Sequence, residues 1–261
     1  MAQKKTIYYS RTYRKIHTNF LYASLYLFFL VLPVLIMLVI NLERITYLLC
    51  EITQKVLSSA LPEKGFEIIG SEFVPFGNTF CIAFESRFPS GPELVINLLV
   101  VSVVIAILVM TSMRGKPLAV YLLFSFIVHI ISCVYFIFER TDFVYTATEF
   151  SELFMKQQMS IWILFIVMMG VITAFVGSSG WINKILAFFA VVIYSLVFGF
   201  IRYIVFMFIL ARFSILYMAD MYFVVGPIFD FLYLVGIYSI FTDRMQKRLD
   251  SPLGEEEWQW L

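Results

Sequence analysis

Charge is scarce in this sequence. Of 261 residues only 14% are Asp, Glu, Lys or Arg, and the net charge is +1. Without a basic excess there is nothing to grip a phosphate backbone, which argues against nucleic acid as a partner. Cysteine and histidine are nearly absent, at three and two residues. No CxxC and no His/Cys cluster occurs, so neither a metal nor a cofactor is expected. Gly-x-Ser-x-Gly and His-Glu-x-x-His are missing. The dipeptide Gly115-Lys116 lacks the upstream glycine and following hydroxyl of a nucleotide loop.

What remains is apolar. Hydrophobic residues make up 61% of the chain, with 29 phenylalanines. Spanning a bilayer takes about 20 such residues at 1.5 Å each. Six segments meet that length: 20–41, 94–112, 118–138, 159–177, 185–211 and 215–241. The stretch around Arg212 and Ser214 is otherwise apolar and too long for one span, which predicts a tight helical hairpin there. The first segment follows Lys4, Lys5, Arg11, Arg14 and Lys15, and nothing like a cleavage site follows it closely, so it reads as an uncleaved anchor.

Lys and Arg set the orientation. With the N-terminus inside, eleven fall on the cytoplasmic side: Lys4, Lys5, Arg11, Arg14, Lys15, Arg114, Lys116, Lys184, Arg244, Lys247 and Arg248. Seven fall outside: Arg44, Lys55, Lys64, Arg87, Arg140, Lys156 and Arg212. The expectation is one integral membrane domain over 1–261, multi-pass, in a bacterial inner membrane with both termini cytoplasmic. Its contacts are the bilayer and a membrane or envelope protein.

The fold class expected is an all-α bundle of six transmembrane helices with a small extracytoplasmic helix and a β-hairpin in the first outer loop, 42–93. Leu42, Ile45, Leu49, Ile52, Val56 and Ala60 recur at helical steps. A helix on the outer membrane surface and an extension of the first span both fit that pattern. Phe80, Ile82 and Phe84 alternate after Pro75-Phe76-Gly77-Asn78, which predicts a hairpin over 66–85 turning at Gly77-Asn78. Residues 139–158 read as a polar stretch, helical in part. The tail 242–261, ending in Glu255-Glu256-Glu257-Trp258-Gln259-Trp260, is expected to be disordered. Cys50 and Cys81 share a side in this topology, which permits a disulfide. Two unrelated thiols are the simpler expectation.

Ionisable groups inside hydrocarbon are costly and mark functional candidates. Arg202, Asp220, Asp230 and His129 are such groups, and Glu149 and Glu152 lie just above the fourth span. Counting rise per residue brings Arg202 and Asp220 to one depth, with Asp230 about 10 Å deeper. The Arg202–Asp220 pair is expected either to lock the hairpin or to form an outer-face site, and we carry the site forward. For His129 the expectation is a neutral imidazole bonded to a neighbouring helix.

Thr148-Glu149-Phe150-Ser151-Glu152 before a span, a short loop with Trp181 and Lys184, and a helix carrying Arg202 near its outer end form a familiar series. It resembles the exosortase/archaeosortase group of membrane cysteine transpeptidases, which set a Cys-Ser-Gly element, an Arg and a His at the outer face. The anchor, outer hairpin and Glu-containing element also resemble membrane proteins encoded beside exosortases. Phe150 and Ser151 stand where the nucleophile belongs, and no His follows Arg202. The resemblance therefore implies a degenerate, non-catalytic relative in which only Arg202 carries over. It would assist surface-protein sorting or exopolysaccharide assembly by binding a partner or substrate outside. Two other classes stay open. One is a small transporter or channel subunit with a polar path through His129, Arg202, Asp220 and Asp230. The other is a membrane enzyme using Glu149 or Glu152 as general base.

Overall fold

The computed structural model of the chain describes residues 14–16, 19–110, 116–139, 143–175, 180–249 and 258–260. The expected features at Lys4, Lys5, Arg11, Arg114, Gly115 and Glu255 to Glu257 lie outside these. Six helices among the described residues are long and apolar enough to cross a membrane: Phe20–Ile40, Gly91–Met110, Ala119–Phe138, Ala147–Phe175, Trp181–Arg212 and Ile215–Lys247. The chain is a multi-pass helical bundle with one small antiparallel hairpin. We label the helices α1 (Phe20–Ile40), α2 (Leu42–Ala60), α3 (Gly91–Met110), α4 (Pro117–Phe138), α5 (Ala147–Phe175), α6 (Trp181–Arg212) and α7 (Gly226–Leu249). The strands are β1 (Arg14–Ile16), β2 (Glu67–Phe73), β3 (Gly77–Ala83) and β4 (Trp258–Trp260). The chain forms two compact units, 1–38 with 162–194 and 233–261, and 39–161 with 195–232.

In the first unit Asn19 caps α1 by accepting from the Leu21 amide at 3.1 Å. Gly170 of α5 lies against α1. A Cβ there would meet Val31 methyls at 2.5 and 2.7 Å, so the small residue lets the two helices approach. Thr173 donates to the Tyr26 hydroxyl at 3.1 Å across the same contact. β1 pairs antiparallel with β4, Arg14 opposite Trp260 and Ile16 opposite Trp258. The tail is thus not wholly disordered: its Trp258–Trp260 strand pairs with Arg14–Ile16.

In the second unit Asn41, at φ −96° and ψ 7°, separates α2 from α1. The face α2 buries is Leu42, Thr46, Leu49, Cys50, Thr53 and Leu57. That face is rotated from the expected stripe, leaving Ile52 and Val56 exposed. Threonine fits the buried side because each hydroxyl is satisfied within its own helix: Thr46 donates to Leu42 O at 3.0 Å and Thr53 to Leu49 O at 2.7 Å. Leu49 and Leu57 are fully buried, each worth about 1.5–3 kcal/mol.

The hairpin is present over the expected residues, but its turn sits earlier. Phe73 pairs with Gly77, so Val74, Pro75 and Phe76 form a three-residue loop, and the Phe76 amide donates to Phe73 O at 2.7 Å. Gly77, at φ +106°, opens β3 instead of occupying the turn centre. The far edge of β3 is fastened to three helices by hydroxyl groups. The Phe80 amide donates to Thr46 Oγ1 at 3.2 Å, and Ile82 to Tyr203 Oη at 2.9 Å and Ser151 Oγ at 3.2 Å. Phe84 donates to Thr148 Oγ1 at 3.2 Å. An isolated two-stranded sheet is marginal, and this docking is what makes it stable.

α5 begins twelve residues before the expected span. Thr146 and Glu149 form a reciprocal cap: Thr146 N–H donates to Glu149 Oε2 at 2.7 Å and Glu149 N–H to Thr146 Oγ1 at 3.2 Å. The resulting helix is about 43 Å long, more than the ~30 Å hydrocarbon layer, so its polar first turns serve the hairpin instead.

The hairpin at Arg212 is closed by side chains capping the last carbonyls of α6. Ser86 Oγ donates to Leu210 O at 2.5 Å, Lys64 to Ala211 O, and Arg87 Nε to Phe213 O at 2.6 Å. Two cations at a helix C-terminus also complement its dipole.

Candidate functional site

Arg202, Asp220, Asp230 and His129 resolve into two clusters within the second unit. Arg202 pairs with Asp230, not with Asp220. Its Nη1 donates to Asp230 Oδ2 at 2.8 Å and to Gly226 O at 2.6 Å, its Nη2 donates to Gln158 Oε1, and Phe154 and Phe198 lie 5.3 and 5.8 Å from the guanidinium carbon. The physical reason is side-chain lean. Helical side chains tilt toward their helix N-terminus. In α6 that points Arg202 away from the Arg212 turn, and in α7 it points Asp230 back toward that turn. The two close a depth gap of about 9 Å, whereas Asp220 lies on the other side. Gly226 suits the end of the π-turn before it, where a Cβ would meet Met221 O at 3.0 Å. Arg202 and Asp230 are 4% and 3% exposed, so this ion pair is sealed. A sealed Arg with two acceptors besides its carboxylate holds helices together.

The second cluster is more open. Ser90 and Glu93 cap α3 reciprocally, which fixes Glu93. Its carboxylate accepts from Ser214 Oγ at 2.8 Å and pairs with Arg87 at 3.2 Å. One turn on, Asn97 Nδ2 donates to Glu93 O at 2.8 Å. That leaves Asn97 Oδ1 facing the Tyr217 hydroxyl at 3.2 Å and His129 Nε2 at 3.3 Å. His129 Nδ1 meets Asp220, and the ring stacks on Tyr217 at 5.7 Å. Both ring nitrogens therefore face acceptors. His129 is thus held from both sides by neighbouring elements, Asn97 of α3 and Asp220, as a ring bonded to a neighbouring helix requires. Asp220 opens a π-helical turn, Asp220–Val225, a form common at functional positions. Its Oδ1 is buried with no hydrogen-bond partner among the described residues.

Glu149 is used by its helix cap. Glu152 binds Lys156 at 2.6 Å and Ser71 at 2.5 Å. Neither is among the hydrogen-bond partners of Arg202. Among the described residues no group of three His, Cys, Asp or Glu is placed to hold a metal. Cys50, Cys81 and Cys133 are free and buried. Burial pushes the Cys50 thiol up to about 12, helped by Cys81 beside it and opposed by a hydrogen bond from Tyr203. Burial and then Glu152 push Cys81 to about 12, against Lys156. Such thiols stay protonated at neutral pH and are poor nucleophiles.

Gln158, Glu93, Asn97 and Tyr217 complete the clusters without having been singled out in the sequence. The one available signal was Ser90-Gly91-Pro92-Glu93, a capping pattern that anchors Glu93 at the start of a span. No family model, curated protein or solved structure matches the chain.

Proposed function

We propose that the protein is a non-catalytic, exosortase-like membrane protein of the bacterial inner membrane. In this reading both termini are cytoplasmic, and it assists surface-protein sorting or exopolysaccharide assembly by binding a partner or substrate at the outer face. The observation that carries the reading is the unmatched Asp220 oxygen at the inner end of a polar chain that starts at the exposed Arg87. A buried carboxylate oxygen without a donor costs free energy until a ligand N–H or O–H reaches it. The His129–Asp220 pair carries no net charge wherever their shared proton sits, so a neutral donor such as a sugar hydroxyl or a peptide amide suits the site. The thiols support the non-catalytic part, because Cys50 and Cys81 are held protonated. Deleting the gene in its host should change the set of surface proteins or the exopolysaccharide yield. The wild-type gene should restore it, and Asp220→Asn, inserted at equal level, should not. An unchanged surface after deletion, or full rescue by Asp220→Asn, contradicts the reading.

A further inference from the structure

The hairpin has one edge fastened and one edge open. On β3 the outward amides are those of Phe80, Ile82 and Phe84, all taken by hydroxyls of the flanking helices. By the alternation of antiparallel pairing, Thr79, Cys81 and Ala83 share the inner rungs with Ser71, Ile69 and Glu67. The main-chain groups of Ile68, Gly70 and Glu72 then face away from β3. Among the described residues they have no backbone partner, and Gly70 and Glu72 are exposed. Natural edge strands are guarded by charged side chains, lysine above all, by proline, a bulge or shortness, and the only charges on β2 are Glu67 and Glu72. β2, Glu-Ile-Ile-Gly-Ser-Glu-Phe, is seven residues long and has neither lysine nor proline.

The surroundings set the sign of an occupant. At the base of β2 a cleft of about 650 Å³ is lined by Glu63, Lys64, Glu67, Glu85, Arg87 and Thr148. Arg87 is neutralised by Glu93 and also bonds Phe213 O, and Lys64, bonded to the carbonyls of Ala211 and Glu85, offsets one carboxylate. Glu63, Glu67 and Glu85 therefore leave the cleft net negative, with Glu72 further along the strand. A second copy of β2, Glu-Ile-Ile-Gly-Ser-Glu-Phe, would add two carboxylates and no cation to this acidic edge, which is unfavourable.

We infer that the β2 edge takes an extended segment of another protein, carrying Lys or Arg at alternate positions, as a third strand. The main-chain rungs give affinity and the carboxylates give selectivity. The inference rests on the proposal that the protein binds a partner at the outer face, and names that partner's chemistry.

The test uses the full chain in nanodiscs and the fluorescent probe Lys-Val-Lys-Val-Lys-Val-Lys-Val, read by anisotropy. The same peptide with alternate Lys replaced by Glu should bind at least tenfold more weakly, and so should the Lys peptide N-methylated on alternate residues. Gly70→Pro removes an outward N–H at no cost in ladder bonds and should also weaken binding at least tenfold. The N-methylated peptide keeps the test valid on the unaltered protein. Equal binding of Lys and Glu peptides, or undiminished binding of the N-methylated one, overturns the inference. So does a dimer that Gly70→Pro abolishes, which would assign the edge to a second copy. A gene deletion without phenotype would sink the proposed function and leave the peptide result standing.

Discussion

Arg202 of α6 ties α5 and α7 together through Gln158, Gly226 and Asp230. Removing one partner of a sealed ion pair leaves a buried charge, which costs about 3–5 kcal/mol. Arg202→Ala should therefore lower folded yield and melting temperature through loss of the Asp230, Gly226 and Gln158 contacts. Arg202→Lys should fall short as well, since an ammonium lacks the planar fork that reaches three acceptors. Fluorescence-detected gel filtration with melting would show it, and a native-like Arg202→Ala profile would contradict it. The thiols give a second prediction. With both near 12, about one part in ten thousand of Cys50 or Cys81 is thiolate at pH 8. Iodoacetamide should leave both unmodified in the folded protein and modify them after denaturation. Rapid alkylation in the folded state would contradict that. Arg202, Asp230, His129 and Asp220 were legible, because a charge inside an apolar run is conspicuous, whereas Glu93 sits at the polar start of its span and was not. Their pairing was not, because residue counting gives depth and ignores side-chain lean. Gln158, Asn97 and Tyr217 hid because neutral polar groups barely disturb hydropathy.

Among the elements, the hairpin depends on Gly77. At φ +106° a side chain is strained whatever the space around it, at a cost of roughly 1–3 kcal/mol. Gly77→Val should speed amide exchange across 66–85 while the spanning helices keep their protection. Equal exchange in mutant and wild type would show that the loop geometry is not needed. Alternation at Phe80, Ile82 and Phe84 was enough to find the strands, since burial on one face has period two. Their attachment was not readable, because it runs through hydroxyls on three distant segments, Thr46, Thr148 and Ser151 with Tyr203. The early start of α5 was readable in principle. Thr146-Ala147-Thr148-Glu149 is a capping pattern, and the polarity of the following turns masked it. The face of α2 was misplaced because threonines that bond their own helix pack like apolar residues.

For the molecule as a whole, six apolar helices follow directly from segment length, and that part of the fold was plain in the sequence. Orientation rests on the distribution of Lys and Arg. Reporter fusions after Lys116, Lys184 and Leu261 should report cytoplasm, and fusions near Gly77 and Glu149 the outside. A cytoplasmic signal at Gly77 would reverse the account. The central claim is that the hairpin end, through the Arg87–Glu93 and His129–Asp220 chain, receives an external partner. A photo-crosslinking amino acid in place of Phe88, which is exposed beside Arg87, tests this most directly in intact cells. The account predicts a discrete adduct with an envelope protein or polysaccharide, diminished by Asp220→Asn at unchanged expression. Adducts with lipid alone, or an adduct indifferent to Asp220→Asn, would contradict it.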